Sequence, residues 1–288
     1  MALPPDLPVV DHHAHLSPNG EGVAAAQRFR DAGGTHLFLA TQNYGPDPPR
    51  SLGDYTRQFE TTFRLADEVR SRTGVVVYPV IAPYPIDLIA CAEAVGVPAA
   101  IEVQTKALDL AGKSVQDGDA VALGEVGRPH FAVSSEIADA IDQVFRHALE
   151  VAHDVGCPVV VHASDLDAPG FAELAAVARE LDVPAHRVVK HYARTRVADR
   201  AGVTPSYLAR RELVKEVRDD PGPWFLETDF LDDPKRPGAV LDLATVPRRA
   251  QAIADEGDDG VRRLQTPFVE SIKQVYGFRP VWPDRDDA

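Results

Sequence analysis

The stretch Val9-Val10-Asp11-His12-His13-Ala14-His15-Leu16 decides the fold. It is a short apolar run of the kind that forms a buried strand, and along a strand side chains at i and i+2 share a face. Asp11, His13 and His15 are therefore expected to point one way and His12 the other. Two imidazoles on one face suit a divalent transition metal. Four further stretches end an apolar run on a metal-type ligand: Gly124-Glu125-Val126-Gly127, Val161-His162, Lys190-His191 and Glu227-Thr228-Asp229. A lone His in a strand is usually structural, but five such strand ends in one chain favour a shared site. The set of four His and two carboxylates is enough for two metal ions about 3.5–4 Å apart with water between them.

Outward from these stretches, short apolar strands alternate with helical segments, as parallel βα units do. Strands are expected at 8–15, 35–40, 75–81, 120–126, 158–162, 187–191 and 224–229, with a weak seventh strand around 201–204. The run Ala99-Ala100-Ile101-Glu102-Val103 competes as a further strand. This alternation predicts an α/β fold, a (β/α)8 TIM barrel, in which the active site lies at the C-terminal ends of the strands. His15, Glu125, His162, His191 and Asp229 fall at such ends. His36 and His186 sit at strand starts and belong to the opposite, stabilising face. Ser51 with Asp54 reads as a capping box ahead of Tyr55, Phe59 and Phe63, an aromatic stripe for the core. Ser134 or Ser135 caps a helix carrying Ile137, Ile141, Phe145 and Ala148, stopped by Gly156.

With 288 residues, 44% of them hydrophobic, the chain fits one barrel domain over 1–288, with short mobile termini at about 1–7 and 279–288. No apolar run is long enough to span a bilayer, and the start Met1-Ala2-Leu3-Pro4-Pro5-Asp6 does not read as a secretory signal. Cys91 and Cys157 sit in apolar contexts and call for no disulfide. The expectation is a cytoplasmic protein. Net charge is −14, and only six of the 30 basic residues are Lys. Adaptation to high salt and an Arg-rich, high-GC coding bias both fit that acidic, Lys-poor composition. Either way it argues against an extended nucleic-acid-binding face, which would be basic.

Asp-x-His-x-His-Leu at 11–16, Gly-Glu-Val-Gly at 124–127, Pro-Val-Val-Val-His at 158–162, His191 and Leu-Glu-Thr-Asp at 226–229 resemble the TatD-type metal-dependent hydrolases of the amidohydrolase superfamily. The wider stretches at 124–131, 188–193 and 227–241 resemble a mainly archaeal branch. The resemblance implies that His13 and His15 hold one metal with Asp229, that His162 and His191 hold the second, and that Glu125 bridges both. It also implies a metal-activated water as nucleophile, with Asp229 taking its proton. The chain departs from the family pattern at Ala82-Pro83-Tyr84-Pro85, where members usually carry Gly-x-His-Pro, and at Arg128-Pro129-His130, where bacterial nucleases carry Leu-Asp. Both changes fall where substrate is expected to touch.

The residues support that chemistry on their own. A divalent ion lowers the pKa of water towards about 7. Asp229 at the mouth can receive a proton and pass it on. Glu125, on an otherwise apolar run, would be an expensive buried charge without a cation. Mixed His and carboxylate ligands favour Zn, Mn, Fe or Ni over Ca, and leave Mg open. Asp11 and Glu227 read as partners of the ligating His residues. Arg128, His130 and Tyr84 are candidate substrate contacts, with loop salt bridges as the plain alternative for Arg128 and His130. Arg194, Arg196, Lys235 and Arg236 are further anion candidates or solvated charges. Lys190, His12, His147 and His153 read as structural or surface residues. Three functions follow. The first is a hydrolase of phosphodiesters, deoxyribonuclease-like, acting on small-molecule or single-stranded nucleotide substrates. The second is an amidase or lactonase acting on a small C–N or C–O substrate. The third is a non-catalytic, metal-stabilised binding protein.

Overall fold

Valine-rich runs too short for helices alternate with capped amphipathic segments, and each run has to bury both faces. The computed structural model describes residues 3–233, 235–236 and 240–280. Strands β1 (Val10–His15), β2 (His36–Ala40), β3 (Val76–Ile81), β4 (Ala122–Gly127), β5 (Val159–His162), β6 (Val188–Ala193), β7 (Thr204–Leu208), β8 (Phe225–Glu227) and β9 (Phe230–Leu231) form one parallel sheet, ordered β8-β7-β6-β5-β4-β3-β2-β1-β9. β8 runs into β9 across Thr228 and Asp229, and β9 pairs with β1 through Ala14–Phe230 and His15–Leu231. The two edges of the sheet are thus one broken strand, and the ring closes as a TIM-barrel-like α/β fold.

Helices α1 (Val23–Asp31), α2 (Leu52–Thr73), α3 (Asp87–Val95), α4 (Val97–Gln116), α5 (Ser135–Val155), α6 (Ala168–Glu180), α7 (Arg211–Val217), α8 (Thr245–Ala254), α9 (Asp258–Gln265) and α10 (Ser271–Tyr276) surround it. Alternation along the strands sorts the valines into two cores. Val80, Ala122, Val160 and Val189 face inward with Phe38 and Phe225. Leu123, Val159, Val161 and Val188 face outward and pack on α4, α5 and α6. The expected caps are in place: the Ser51 hydroxyl accepts from Asp54 N, the Ser134 hydroxyl accepts from Ile137 N, and Gly156 ends α5 in the left-handed conformation. Tyr55 and Phe59 are buried core residues. At the start of the chain Leu7 is buried, with Leu3 packed beside it. The tail from 281, where the mobile C-terminus is expected, lies outside the described residues.

Three expectations are corrected. The run 99–103 belongs to α4, where Ala100, Gln104, Ala107, Leu108 and Ala111 recur at helical spacing on the buried side. The seventh strand starts at Thr204 rather than spanning 201–204, because Ala201 and Gly202 both take positive φ and turn the chain first. His12 does not face away from the barrel centre. The β1–β2 register shifts between Asp11 and Ala14, and His12 enters the inner core, stacked 3.9 Å from Phe225 with its Nε2 2.7 Å from the Tyr276 hydroxyl.

One glycine is required by the path the chain takes out of β4. Gly127 sits at φ +126°, and a Cβ there would lie 2.3 Å from the His162 carbonyl oxygen. Gly127→Ala is expected to destabilise the fold by at least about 1–3 kcal/mol, since strain and overlap act together. Denaturant unfolding measures this, and wild-type stability in the variant would contradict the reading.

Candidate metal centre

Irregularities at the strand ends aim the ligand-type side chains inward, a common use of bulges beside functional sites. The β4–β5 ladder shifts between Gly124 and Val126, so Glu125 projects into the barrel next to inward-facing Gly124. The shift in β1 does the same for His13 after inward-facing His12. β6 shifts between Lys190 and Ala193, just past His191, and Tyr192 takes φ +55° there.

Six predicted ligands meet at the C-terminal mouth. His13 Nε2 and His15 Nε2 lie 3.2 Å apart. Both face Glu125 Oε1, at 3.3 and 3.1 Å, and Asp229 Oδ1, at 3.7 Å from each. Donors about 2.0–2.1 Å from a tetrahedral ion stand roughly 3.4 Å from one another, so this spacing fits one cation. On the other side, Glu125 Oε2 lies 2.9 Å from both His162 Nδ1 and His191 Nε2. These two imidazole nitrogens are 3.2 Å apart. Among the described residues, two of the three groups able to hold an ion are thus His13–His15–Glu125 and Glu125–His162–His191; the third is His13–His191–Asp229.

The electrostatics follow from packing. Burial alone would raise the Glu125 carboxyl, but His191, His13, His15 and His162 around it hold it well below the ordinary range. Burial lowers His13 and His191. It also pulls on His15, but there the contact with Glu125 prevails and the value rises. Burial raises Asp229 against the pull of His13, His191 and His15.

Two carboxylates staple the segment carrying Asp229 to β1 and to the loop that follows it. Asp11 Oδ1 accepts from Thr228 N (3.1 Å) and His13 N (3.2 Å), and Asp11 Oδ2 accepts from the Thr228 hydroxyl (2.7 Å). Asp232 accepts from Ser17 N, Glu21 N and Gly22 N at 2.7–2.8 Å. Between them Asp229 takes φ +49°, and its N donates to His13 O at 2.9 Å. The turn at 232–233 is therefore more than a loop, a role that no local motif announces; Pro234 lies outside the described residues. Glu227 is fully buried, accepts from Tyr192 N at 2.6 Å and stands 3.6 Å from His191 Nδ1.

An open cleft of about 690 Å³ lies over the cluster, lined by Tyr84, His130, Arg194 and Arg236 among others. Arg128 does not reach it: its guanidinium is held by Asp142 (2.8 Å) and Glu173 (2.6 Å). Arg194 pairs with Asp165 and lies 5.5 Å over the Tyr192 ring. Arg236 pairs with Asp233, and Arg196 with Asp220. Lys190 points away from the cleft, buried, donating to His191 O. Sequence reasoning missed Asp87, at the start of α3. It lines the cleft, one of its oxygens is buried without a partner, and burial, then the charge of Glu125, pushes it up to about 7. Its lone position in an apolar turn gave no signal.

A sequence profile described as "TatD related DNase" matches residues 10–277. The chain belongs to this family, and with it to the metal-dependent hydrolases. It is 30% identical over 278 residues to an uncharacterized protein of Methanocaldococcus jannaschii, covering 94% of this chain and 96% of that one. Among solved structures it is similar to the TatD homolog YJJV of Escherichia coli, with a TM-score of 0.61, 16% identity and coverage of 93% and 98%. It is also similar to a TatD-like protein of Archaeoglobus fulgidus, with a TM-score of 0.59, 14% identity and coverage of 93% and 100%. Among the described residues no helix is long and apolar enough to cross a membrane.

Burial pushes the Asp11 carboxyl up to about 8 against the bonds from Thr228 and His13. A folded value above the ordinary one means that the proton favours folding, and this contribution is lost as pH rises from about 4 to about 8. Asp11→Asn mimics the protonated acid. In chelator-treated protein its melting temperature is expected to gain on wild type across that window and to level off above it. Asp11→Ala, which strands the donors of Thr228 and His13, is expected to cost about 1–3 kcal/mol at neutral pH. A pH-independent gap between Asp11→Asn and wild type would contradict the assignment.

Proposed function

We propose that this protein is a phosphodiesterase that uses two divalent ions and acts on small or single-stranded nucleotide substrates. The observation that carries the reading is the division of the Glu125 carboxylate: one oxygen serves His13 and His15, the other His162 and His191. His13, His15 and Asp229 would hold one cation and His162 and His191 the other, with Glu125 offering an oxygen to each side, at the place where many relatives in the superfamily use a carboxylated lysine. When bound, the ions supply Lewis acidity and a water more acidic than bulk, the combination that suits in-line displacement at phosphorus. Which ions they are stays with the choice among Zn, Mn, Mg, Fe and Ni.

The chain's own residues divide the remaining work. Asp229, at the mouth of the cluster and raised by burial, receives the proton of the attacking water and passes it to the leaving oxygen. Asp11 holds the segment that carries Asp229, and Glu227 holds the backbone beside His191. Arg194 and Arg236 line the cleft, and an anionic substrate there competes with Asp165 and Asp233 for their guanidinium groups. The acidic surface limits such contacts to the cleft itself, which suits a small or single-stranded substrate over a long duplex.

A second reading, hydrolysis of a lactone or cyclic amide, is favoured by one observation. The cleft wall nearest Tyr84 carries unpartnered Asp87, a poor neighbour for a phosphate and a good acceptor for an N–H or O–H. Initial rates of metal-loaded protein on bis(p-nitrophenyl) phosphate and short oligonucleotides, against lactones and cyclic amides, separate the two. Phosphodiester turnover stimulated by metal supports the first reading; turnover confined to lactones or amides replaces it.

His13→Ala or Glu125→Gln is expected to lower bound metal, whereas Asp229→Asn mainly loses rate, by about 10²-fold or more. Metal analysis beside turnover checks the split, with His153→Ala, an exposed site on α5, as control. Equal losses in the control would contradict it.

A further inference from the structure

We propose that His130 is a positioning residue for the metal centre: it holds the outer nitrogen of His162 so that the inner nitrogen stays aimed at the ions. The inference rests on the metal-site reading above and deepens it. His162 Nδ1 faces the cluster, 2.9 Å from Glu125 Oε2 and 3.2 Å from His191 Nε2. Its Nε2 faces the other way, 3.0 Å from His130 Nδ1 and 3.4 Å from the Tyr84 hydroxyl. An imidazole that offers the Nδ1 lone pair to a cation keeps its proton on Nε2 and must donate it. His130 Nδ1 is the nearer acceptor, and Tyr84 at 3.4 Å sits near the outer limit of a hydrogen bond. Both residues line the cleft, but both reach His162, which gives them work without substrate.

The path of the chain explains how an exposed residue comes to do this. Glu125 and His130 are five residues apart and bracket one imidazole from its two edges. Between them Gly127 passes closely over His162, and Arg128 N donates to His162 O at 2.9 Å. The Arg128 side chain then ties the loop to α5 and α6 through Asp142 and Glu173. Phe131 stands edge-on to the His130 ring, with centroids 5.2 Å apart. Arg128, expected to touch substrate, instead anchors the loop that presents His130.

The test measures metal affinity. Chelator-treated protein is titrated with Co²⁺ against a chromophoric chelator, and the visible Co²⁺ spectrum is recorded at each equivalent. His130→Leu is expected to weaken one of two equivalents by about 10–100-fold, leave the other unchanged and alter the spectrum of the weakened one. His130→Gln, which keeps an acceptor oxygen, is expected to restore most of that affinity. His130 is exposed, so the metal-free variants are expected to melt with wild type. If His130→Leu binds both equivalents like wild type, or if His130→Gln is as weak as His130→Leu, the positioning role is overturned while the metal site stands. If wild type binds no Co²⁺ at all, both readings fall.

Discussion

Glu125 is a carboxylate buried among four imidazoles, and the rest of the structure is arranged around that fact. An ion taken out of water costs several kcal/mol unless it is matched by partners. Neutral imidazoles are incomplete partners, because each needs a proton on the nitrogen that faces the acid. His13 and His15 turn the same kind of nitrogen to each other at 3.2 Å as well as to Glu125. Cations between the donors would satisfy the lone pairs and the carboxylate together, and the spacing of the donors fits such ions.

The barrel supplies the means. Regular strands would alternate His12 with His13, and Gly124 with Glu125, between the inner and outer faces. Irregular register at the C-terminal ends brings both members of each pair inward. One layer below the ligands, His12, Phe38 and Phe225 fill the barrel, with Tyr276 from α10 reaching the ring of His12. One layer out, Asp11 on β1 and Asp232, which grips the loop after β1, fasten the broken strand β8–β9 on both sides of Asp229. The candidate ligands are thus placed by backbone geometry that other buried polar groups enforce, as a precise site requires.

Much of this was legible in the sequence because it depends on local periodicity. The strands carrying His13, Glu125, His162 and His191 each begin as an apolar run and place a ligand-type residue towards their C-terminal end, and the barrel rule for C-terminal strand ends then brings these residues together. The six ligand-type residues meet as that reasoning expected. What stayed hidden depends on tertiary register. The inward turn of His12 follows from a shift in strand pairing that no spacing rule contains. The role of Asp232 depends on three backbone N–H groups more than 200 positions away. Arg128 and His130 read alike, as loop cations past Glu125. Only the positions of α5, α6 and His162 send one to Asp142 and Glu173 and the other to an imidazole edge.

The claim on which the account depends is that these side chains cage two cations. Metal-to-protein stoichiometry by mass spectrometry, on protein prepared without chelator and again after reconstitution with Zn²⁺ or Mn²⁺, tests it most directly. The account predicts two equivalents per chain, lost together in Glu125→Ala. No bound metal after reconstitution, or full occupancy in that variant, would contradict it.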